Sequence, residues 1–177
     1  MRVLGIDPGT LTTGYRIVSE ENHKLFHVVS GGISPSAKQP FPKRLGKIYD
    51  ELEKIIEKYQ PQAVVVEDLF VSNNIKAALK LGHARGVAIL AAVNAGIPVF
   101  EYAPAEVKQA VVGTGKAEKK QVQMMVKTLL ELAKAPHPAD AADALAAAIC
   151  HIHSSRMREM LRNPAALRQG ARTVRPR

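Results

Sequence analysis

The stretch VLGIDPGT at residues 3–10, followed by GY at 14–15, determines how the fold begins. Its apolar residues predict a buried strand, and Pro8-Gly9 ends that strand in a tight turn. Residues 14–18 predict a second strand, which returns beside the first as a hairpin. A carboxylate at the end of a buried strand is costly to leave unpaired, so Asp7 is expected to meet a metal or a cation. An aspartate before Pro-Gly can also simply initiate the turn, and this segment alone leaves both interpretations open.

The rest of the chain alternates strands and helices. We expect strands at 26–33, 63–67 and 99–102, and helices at 44–59, 74–95, 104–112, 118–134 and 138–161. This order predicts an α/β fold with a mixed five-stranded sheet flanked by helices, in which an antiparallel meander precedes parallel crossovers. The continuous apolar strand at 63–67 ends on Glu67. If it runs parallel to the first strand, Asp7 and Glu67 are neighbours at one edge of the sheet.

The last predicted helix begins with the sequence HPADAADA at residues 137–144. Asp140 and Asp143 are three residues apart and therefore share one helix face. The alanines around them allow close packing against a sheet. Two acids in a first turn also complement the helix dipole, but this does not explain why two strand-end acids occur as well. Four converging carboxylates favour hard divalent cations, Mg²⁺ first and Mn²⁺ next. Two such ions about 3.5–4 Å apart are a known device for phosphodiester cleavage.

The charge of the chain predicts a polyanionic partner. The formal net charge of the 177 residues is +9, and the pI is near 9.8. Such a basic protein favours nucleic acid. Five arginines and no acid occur in residues 162–177, which also contain proline and glycine. We therefore expect one domain at 1–161 and a basic, disordered tail at 162–177, although the tail can also be a solvated terminus without a specific role.

Several classes of protein are disfavoured by what the sequence lacks. No apolar run approaches the roughly 20 residues of a membrane span, and the N-terminus does not resemble a signal peptide. Cys150 is the single cysteine, so no internal disulfide can form, and its apolar surroundings predict a small buried hydrophobe. These features predict a cytoplasmic protein with no membrane partner.

A group of lysines lies before and at the beginning of the predicted helix at 118–134. Lys116, Lys119 and Lys120 crowd its beginning after Gly113-Thr114-Gly115, and Lys108 precedes them. Cations at a helix N-terminus are unfavourable, because the helix dipole already places positive charge there. A phosphate would be attracted by the helix N-terminus and by the lysines, so phosphate binding explains the arrangement. The alternative is a solvated charged face. The segment is not a Walker A loop.

Three motifs together resemble the RuvC family of Holliday-junction resolvases, in order and over about residues 1–155. They are GIDPG at 5–9 with GY at 14–15, VEDLF at 66–70, and ADAADALA at 139–146. The resemblance implies an RNase H-like fold, a homodimer, Mg²⁺-dependent paired symmetric nicking of four-way DNA junctions in recombination and repair, and cooperation with the RuvA and RuvB branch-migration proteins.

The same resemblance implies roles for individual residues. The catalytic acids and ligands of two metal ions map onto Asp7, Glu67, Asp140 and Asp143, although some members have His at the Asp140 position. Lys108 and Lys119 match lysines near the family's active site.

Further residues are expected to contact DNA. Phe70 follows Glu67 by three residues, and the resemblance implies that it stacks on a junction base. Stacking of this kind contributes roughly 1–3 kcal/mol per base. The alternative is that Phe70 caps the hydrophobic core.

Gly82 and Gly86, four apart in a predicted helix, suggest a close-packed partner, and the family dimer uses this region. The other candidate DNA contacts are polar or basic residues: Asn73, Asn74, Lys76, Lys80, His83, Arg85, Lys116 and Lys120.

Three alternative functions are compatible with parts of this pattern. An ATPase of the actin and sugar-kinase type can begin with a similar hairpin, but it needs two domains around a cleft. A non-catalytic DNA-binding module with a decayed site is disfavoured because all four acids are present. A different RNase H-like nuclease that cuts RNA–DNA hybrids is the third alternative, and comparing cleavage of a hybrid with cleavage of a four-way junction distinguishes it.

Overall fold

The computed structural model describes residues 1–66, 74–136 and 139–162, except for the side chains of 139–141 and 160. The strands are β1 (Arg2–Asp7), β2 (Thr13–Glu21), β3 (Lys24–Ile33), β4 (Ala63–Val66) and β5 (Val99–Phe100). The helices are α1 (Phe41–Tyr59), α2 (Ile75–Asn94), α3 (Pro104–Val112), α4 (Lys119–Leu129) and α5 (Ala139–Arg162). The predicted order of elements is confirmed, and α5 continues one residue into the segment expected to be a tail.

Two predicted boundaries were wrong by several residues. Helix α4 ends at Leu129 rather than at 134, because Leu130 caps it and Glu131 has a left-handed backbone with φ of 50°. Helix α1 begins three residues before the prediction, at Phe41, and Pro42 occupies its first turn. Proline is tolerated there because the first turn leaves its N–H groups unbonded in any case.

The five strands form one mixed sheet with the order β3-β2-β1-β4-β5. Strand β1 is antiparallel to β2 and parallel to β4, and β5 continues the parallel half. Ile6 of β1 pairs with Val66, the last residue of β4. The expected meander followed by parallel crossovers is therefore confirmed, and β1 and β4 end at the same edge of the sheet.

Helices cover both faces of the sheet. One core lies between the sheet and α3, α4 and α5, and the other lies between the sheet and α1 and α2. Alternate residues of β4 serve the two cores: Val65 belongs to the first, and Val64 and Val66 belong to the second. A strand buried on both faces needs a continuous apolar run, which explains why this segment does not alternate with polar residues.

Helix α5 crosses β1 at very short range. A Cβ atom on Gly5 would overlap the carbonyl oxygen of Ala144 and would lie 3.6 Å from the Cβ of Ala148. Only a glycine on the strand facing alanines on the helix permits this approach. The alanine-rich helix therefore packs closely against the sheet as predicted, and its first turns lie at the edge where β1 and β4 end.

Two further predictions concern membrane-spanning helices and the single cysteine. None of the described helices is both long and apolar enough to cross a lipid bilayer. Cys150 is 1% exposed within α5, and burial raises the pKa of its thiol. It is the buried small hydrophobe that the sequence predicts.

Candidate active site

Asp7 is the last residue of β1 and lies at the edge of the sheet. It pairs with Gly14 of β2 and follows Ile6, which pairs with Val66 of β4. A Cβ atom on Gly14 would lie 3.8 Å from Asp7 Oδ2 and 3.7 Å from Arg16 Nη1. Gly14 thus leaves open the space between a carboxylate and a guanidinium on one face of the hairpin.

Arg16 is a cation that the sequence analysis did not identify. Its Nη1 donates hydrogen bonds to the carbonyl oxygens of Tyr15, at 2.7 Å, and Gly31, at 2.6 Å. Burial lowers the pKa of its guanidinium from the usual value, and the negative charge of Asp7 partly offsets this. Arg16 of the neighbouring strand thus places a positive charge near Asp7. No sequence motif marks Arg16, because strand pairing alone brings it beside Asp7.

A cavity of about 190 Å³ opens near the end of β4. Asp143 and Lys119 meet at its wall, where Lys119 Nζ lies 3.0 Å from Asp143 Oδ2. Lys108 of α3 lines the same cavity, so three of the residues predicted for the site are brought together. The cavity is lined by Val65, Val66, Tyr102, Pro104, Val107, Lys108, Lys119, Val122, Asp143 and Ala147.

The turn between α3 and α4 places Lys108 and Lys119 on the same cavity. Gly113 ends α3 with a φ of 88°, which glycine adopts at little cost. The Gln109 side chain secures the turn, because it donates to Gly113 O at 2.9 Å and accepts from Gly115 N at 3.1 Å. Lys119 at the first position of α4 then faces Asp143, which gives this helix-start cation a carboxylate partner within the chain.

Tyr102 is a second residue that the sequence analysis did not identify as part of the site. It lines the cavity, and its hydroxyl lies 2.8 Å from Nδ1 of His151. His151 is 1% exposed, and its Nε2 lies 3.1 Å from Ser155 Oγ. Burial, with a contribution from the charge of Arg158, lowers the pKa of His151 to about 4, so the ring is neutral near pH 7. The pair joins the segment before α3 to α5, and only the tertiary fold reveals it.

Two of the four predicted acids are not fully described. Glu67 follows Val66 directly in the chain and lies outside the described residues, as do Phe70, Asn73 and His137. Asp140 belongs to the first turn of α5, one turn before Asp143, and its side chain is also outside the described set. Among the side chains that the structure describes, no three His, Cys, Asp or Glu residues come together as a metal site.

The predicted DNA contacts on α2 have different environments. Asn74 caps the helix, because its side-chain oxygen accepts a hydrogen bond from Ala77 N at 3.1 Å. Arg85 Nη2 lies 2.6 Å from Glu101 Oε1, and the Arg85 side chain is only 20% exposed. This arginine therefore joins α2 to the segment after β5, a role that the sequence analysis did not anticipate.

The other basic candidates are more accessible. Lys80 Nζ lies 5.9 Å from the centre of the Phe41 ring, and the His83 ring meets the same phenylalanine edge-on at 5.9 Å. Lys76, Lys116 and Lys120 are exposed. Their contacts with DNA stay predictions.

An apolar groove runs along the outer face of α2. Its volume is about 680 Å³, and Ile75, Leu79 and Leu90, which line it, are 74%, 60% and 50% exposed. A Cβ atom on Gly82 or Gly86, which also line it, would have no atom of the described chain within 4 Å. Within the described chain, these glycines therefore accommodate no close neighbour.

Comparisons with known proteins agree with one another. A family model described as crossover junction endodeoxyribonuclease RuvC matches residues 3–151. A protein of that name from Geobacter sp. strain M21 is 54% identical over 162 residues, which cover 92% of this chain and 98% of that protein. The structure of Thermus thermophilus RuvC in complex with a Holliday junction substrate matches with a TM-score of 0.83 at 37% identity, over 89% of this chain and 96% of that one. The yeast mitochondrial Holliday junction resolvase Ydc2 is similar in fold, with a TM-score of 0.63 at 13% identity, over 89% of this chain and 82% of that one.

Proposed function

The chain belongs to the RuvC family of crossover junction endodeoxyribonucleases, and from that premise we propose how its residues cleave a four-way DNA junction. It has the RNase H-like fold of this family and is a divalent-metal-dependent Holliday-junction resolvase. The observation that supports our mechanism most directly is the cavity where Asp143, Lys119 and Lys108 meet, at the edge where β1 and β4 end.

The donor set fits hard divalent metal ions. Asp7 and Asp143 supply carboxylate oxygens, and Mg²⁺ and Mn²⁺ prefer such ligands. We propose two Mg²⁺ ions, with Mn²⁺ as a substitute, held by Asp7, Glu67, Asp140 and Asp143. Bound ions would activate the attacking water and stabilise the attacking and leaving oxygens of an in-line phosphodiester displacement.

The two lysines supply positive charge beside these acids. Lys119 Nζ lies beside Asp143 Oδ2, and the Lys119 side chain is 52% exposed, so it can turn toward a phosphate. Lys108 lines the same cavity from α3. Both would stabilise the negative charge that develops on the phosphate in the transition state. They act as catalytic groups only if they touch the scissile phosphate, which kinetics can test.

We expect Lys119→Ala and Lys108→Ala to slow cleavage of bound junctions by about 10²-fold each, because each removes a preorganised positive charge from the transition state. Single-turnover nicking with enzyme in excess measures this step separately from binding. Lys127→Ala, at the other end of α4, is the matched control and should cleave at the wild-type rate. If both test variants cut bound junctions as fast as this control, the lysines belong only to the electrostatic footprint.

The remaining assignments extend from the site to the DNA arms. We propose that Phe70 stacks on a base at the junction, and that polar and basic residues around α2 and α4 contact the backbone. The nuclease domain covers residues 1–161, and the basic segment 162–177 adds salt-screened attraction to DNA. The proposed backbone contacts are Asn73, Asn74, Lys76, Lys80, His83, Arg85, Lys116 and Lys120.

We further propose that the enzyme acts as a homodimer. Two symmetric strands of a junction need two identical sites related by a two-fold axis. The exposed apolar groove on α2, with glycines that would accommodate a close neighbour, supports a second copy of the chain as the occupant. We also propose cooperation with the RuvA and RuvB branch-migration proteins, which family membership supports.

A substrate comparison tests the proposed function. The purified chain should nick a synthetic four-way junction at symmetric positions in Mg²⁺ or Mn²⁺, and EDTA should abolish the reaction. An RNA–DNA hybrid and a linear duplex of the same sequence should be cut at least tenfold more slowly. Preferential cleavage of the hybrid would establish the alternative RNase H-like activity instead.

A further inference from the structure

Arg16 is an arginine on the sheet beside a proposed metal ligand, and the mechanism above does not use it. Its Nη1 and Asp7 Oδ2 flank the space left open by Gly14, at 3.7 and 3.8 Å from the same point. Two carbonyl oxygens, of Tyr15 and Gly31, hold Nη1 in place. The guanidinium is therefore fixed in orientation. Its second terminal nitrogen, Nη2, also carries hydrogens that it can donate.

The opposite strand adds a hydroxyl to this arginine. Ser30 of β3 pairs directly with Arg16 of β2, and directly paired side chains on a sheet lie about 4.5–5.5 Å apart at Cβ. Ser30 Oγ lies 2.6 Å from His27 Nε2. Burial, followed by the positive charge of Arg16, lowers the pKa of His27 from its usual value, which favours the neutral ring. A neutral imidazole with a fixed hydrogen bond orients the Ser30 hydroxyl.

We propose that Arg16 and Ser30 bind a backbone phosphate of the junction strand next to the phosphate that is cut. This inference rests on the proposed function and adds a contact that positions the strand. Arginine suits the role because its planar fork can donate to a phosphate while part of it stays bound to protein carbonyls. The partly buried guanidinium strengthens such a contact, since the surrounding solvent screens it less. Its closeness to Asp7 places the bound phosphate beside the metal ligands rather than on a distant arm.

A structural role for Arg16 is the competing explanation. The guanidinium ties β2 to β3 through Gly31 O and balances the charge of Asp7. If Arg16 has only this role, its substitution should lower stability and perturb metal binding. Each DNA phosphate should then contribute as much to junction binding as it does with the wild-type protein. If Arg16 contacts a phosphate, the loss of binding affinity should depend on one phosphate of the substrate. Modifying single phosphates of the DNA therefore distinguishes the two roles.

The experiment combines Arg16→Met with a junction in which single phosphates are replaced by neutral methylphosphonates. Methionine keeps an unbranched side chain and removes the donors. We expect Arg16→Met to weaken junction binding roughly tenfold, as loss of a hydrogen bond to a charged group would. The slope of log K against log salt should also fall in magnitude by about 0.7–0.9, the value for one phosphate contact. Lys54→Met on the outer face of α1 removes the same charge elsewhere and is the matched control.

The decisive result is the coupling between protein and substrate. For the wild-type protein, one methylphosphonate next to the cleaved position should weaken binding about tenfold, and for Arg16→Met the same replacement should have little further effect. Ser30→Ala should show the same coupling with a smaller loss. If every methylphosphonate weakens Arg16→Met and the wild type equally, Arg16 has only the structural role and the proposal is overturned. A wild-type chain that neither binds nor cuts four-way junctions would instead contradict the proposed function itself.

Discussion

Asp7→Asn is expected to reduce junction cleavage by at least about 10³-fold while leaving junction binding within a few-fold of wild type. The substitution keeps the shape of the side chain but removes the charge that a divalent ion requires, and loss of a preorganised charge at the reacting centre is worth that much. Asp143→Asn, Glu67→Gln and Asp140→Asn should behave alike. Single-turnover nicking in Mg²⁺, together with binding at matched salt, measures both quantities.

Stability separates this loss of chemistry from unfolding. Asp143 is 29% exposed and its ion pair with Lys119 is solvent-screened, so breaking the pair should lower the free energy of unfolding by about 1 kcal/mol or less. Asp7→Asn removes the attraction between Asp7 and Arg16, and it also removes the repulsion expected within the proposed carboxylate cluster, so its net effect on stability should be small. Asp50→Asn on exposed α1 is the matched control and should leave cleavage unchanged. Near wild-type nicking by Asp7→Asn in Mg²⁺ would refute the metal-site assignment.

Much of the fold could be predicted because its signals are local. The apolar run before Asp7, the Pro8-Gly9 turn and the two-sided burial of β4 each follow from a few adjacent residues. The alanines of α5 predicted close packing, and the approach of Ala144 to Gly5 confirms it. The parallel pairing of β1 with β4, which the sequence left as a condition, places Asp7 and the end of β4 at one edge.

The parts that could not be predicted depend on contacts between distant segments. The ion pair of Lys119 with Asp143 joins residues 24 positions apart, and nothing in either helix alone reveals it. Arg16 reads locally as one polar residue of a strand, and its proximity to Asp7 depends on the register of the hairpin. Likewise, Tyr102 reaches His151 only because β5 leads into α3 beside α5. The sequence thus named Lys119 and Asp143 as candidate site residues but did not reveal that they pair, and it did not mark Arg16 or the contact between Tyr102 and His151.

Leu79→Arg is expected to convert a dimer into a monomer. Leu79 is 60% exposed on α2 and lines the apolar groove beside Gly82 and Gly86. In a two-fold interface each substitution occurs twice, and burying a leucine contributes about 1.5–3 kcal/mol, so dimerisation should weaken on the order of 10²-fold or more. Sedimentation at micromolar concentration should give twice the 19.2 kDa chain mass for the wild type and a single chain mass for the variant.

The same variant also tests whether paired cleavage requires the dimer. The proposed catalytic residues are unchanged in Leu79→Arg, so the monomer should still nick one strand of a junction slowly but should lose the paired, symmetric cuts that need two sites held together. Met124→Arg is the matched control, because Met124 is 48% exposed on α4, outside the groove, and its substitution should leave both mass and paired cleavage intact. Thermal unfolding of the three proteins should differ only by the stabilisation that dimerisation adds, since both side chains are largely exposed within one chain. A Leu79→Arg protein that remains a dimer would show that the groove on α2 is not the interface, and a monomer that still cuts both strands in concert would show that paired cleavage does not need the dimer.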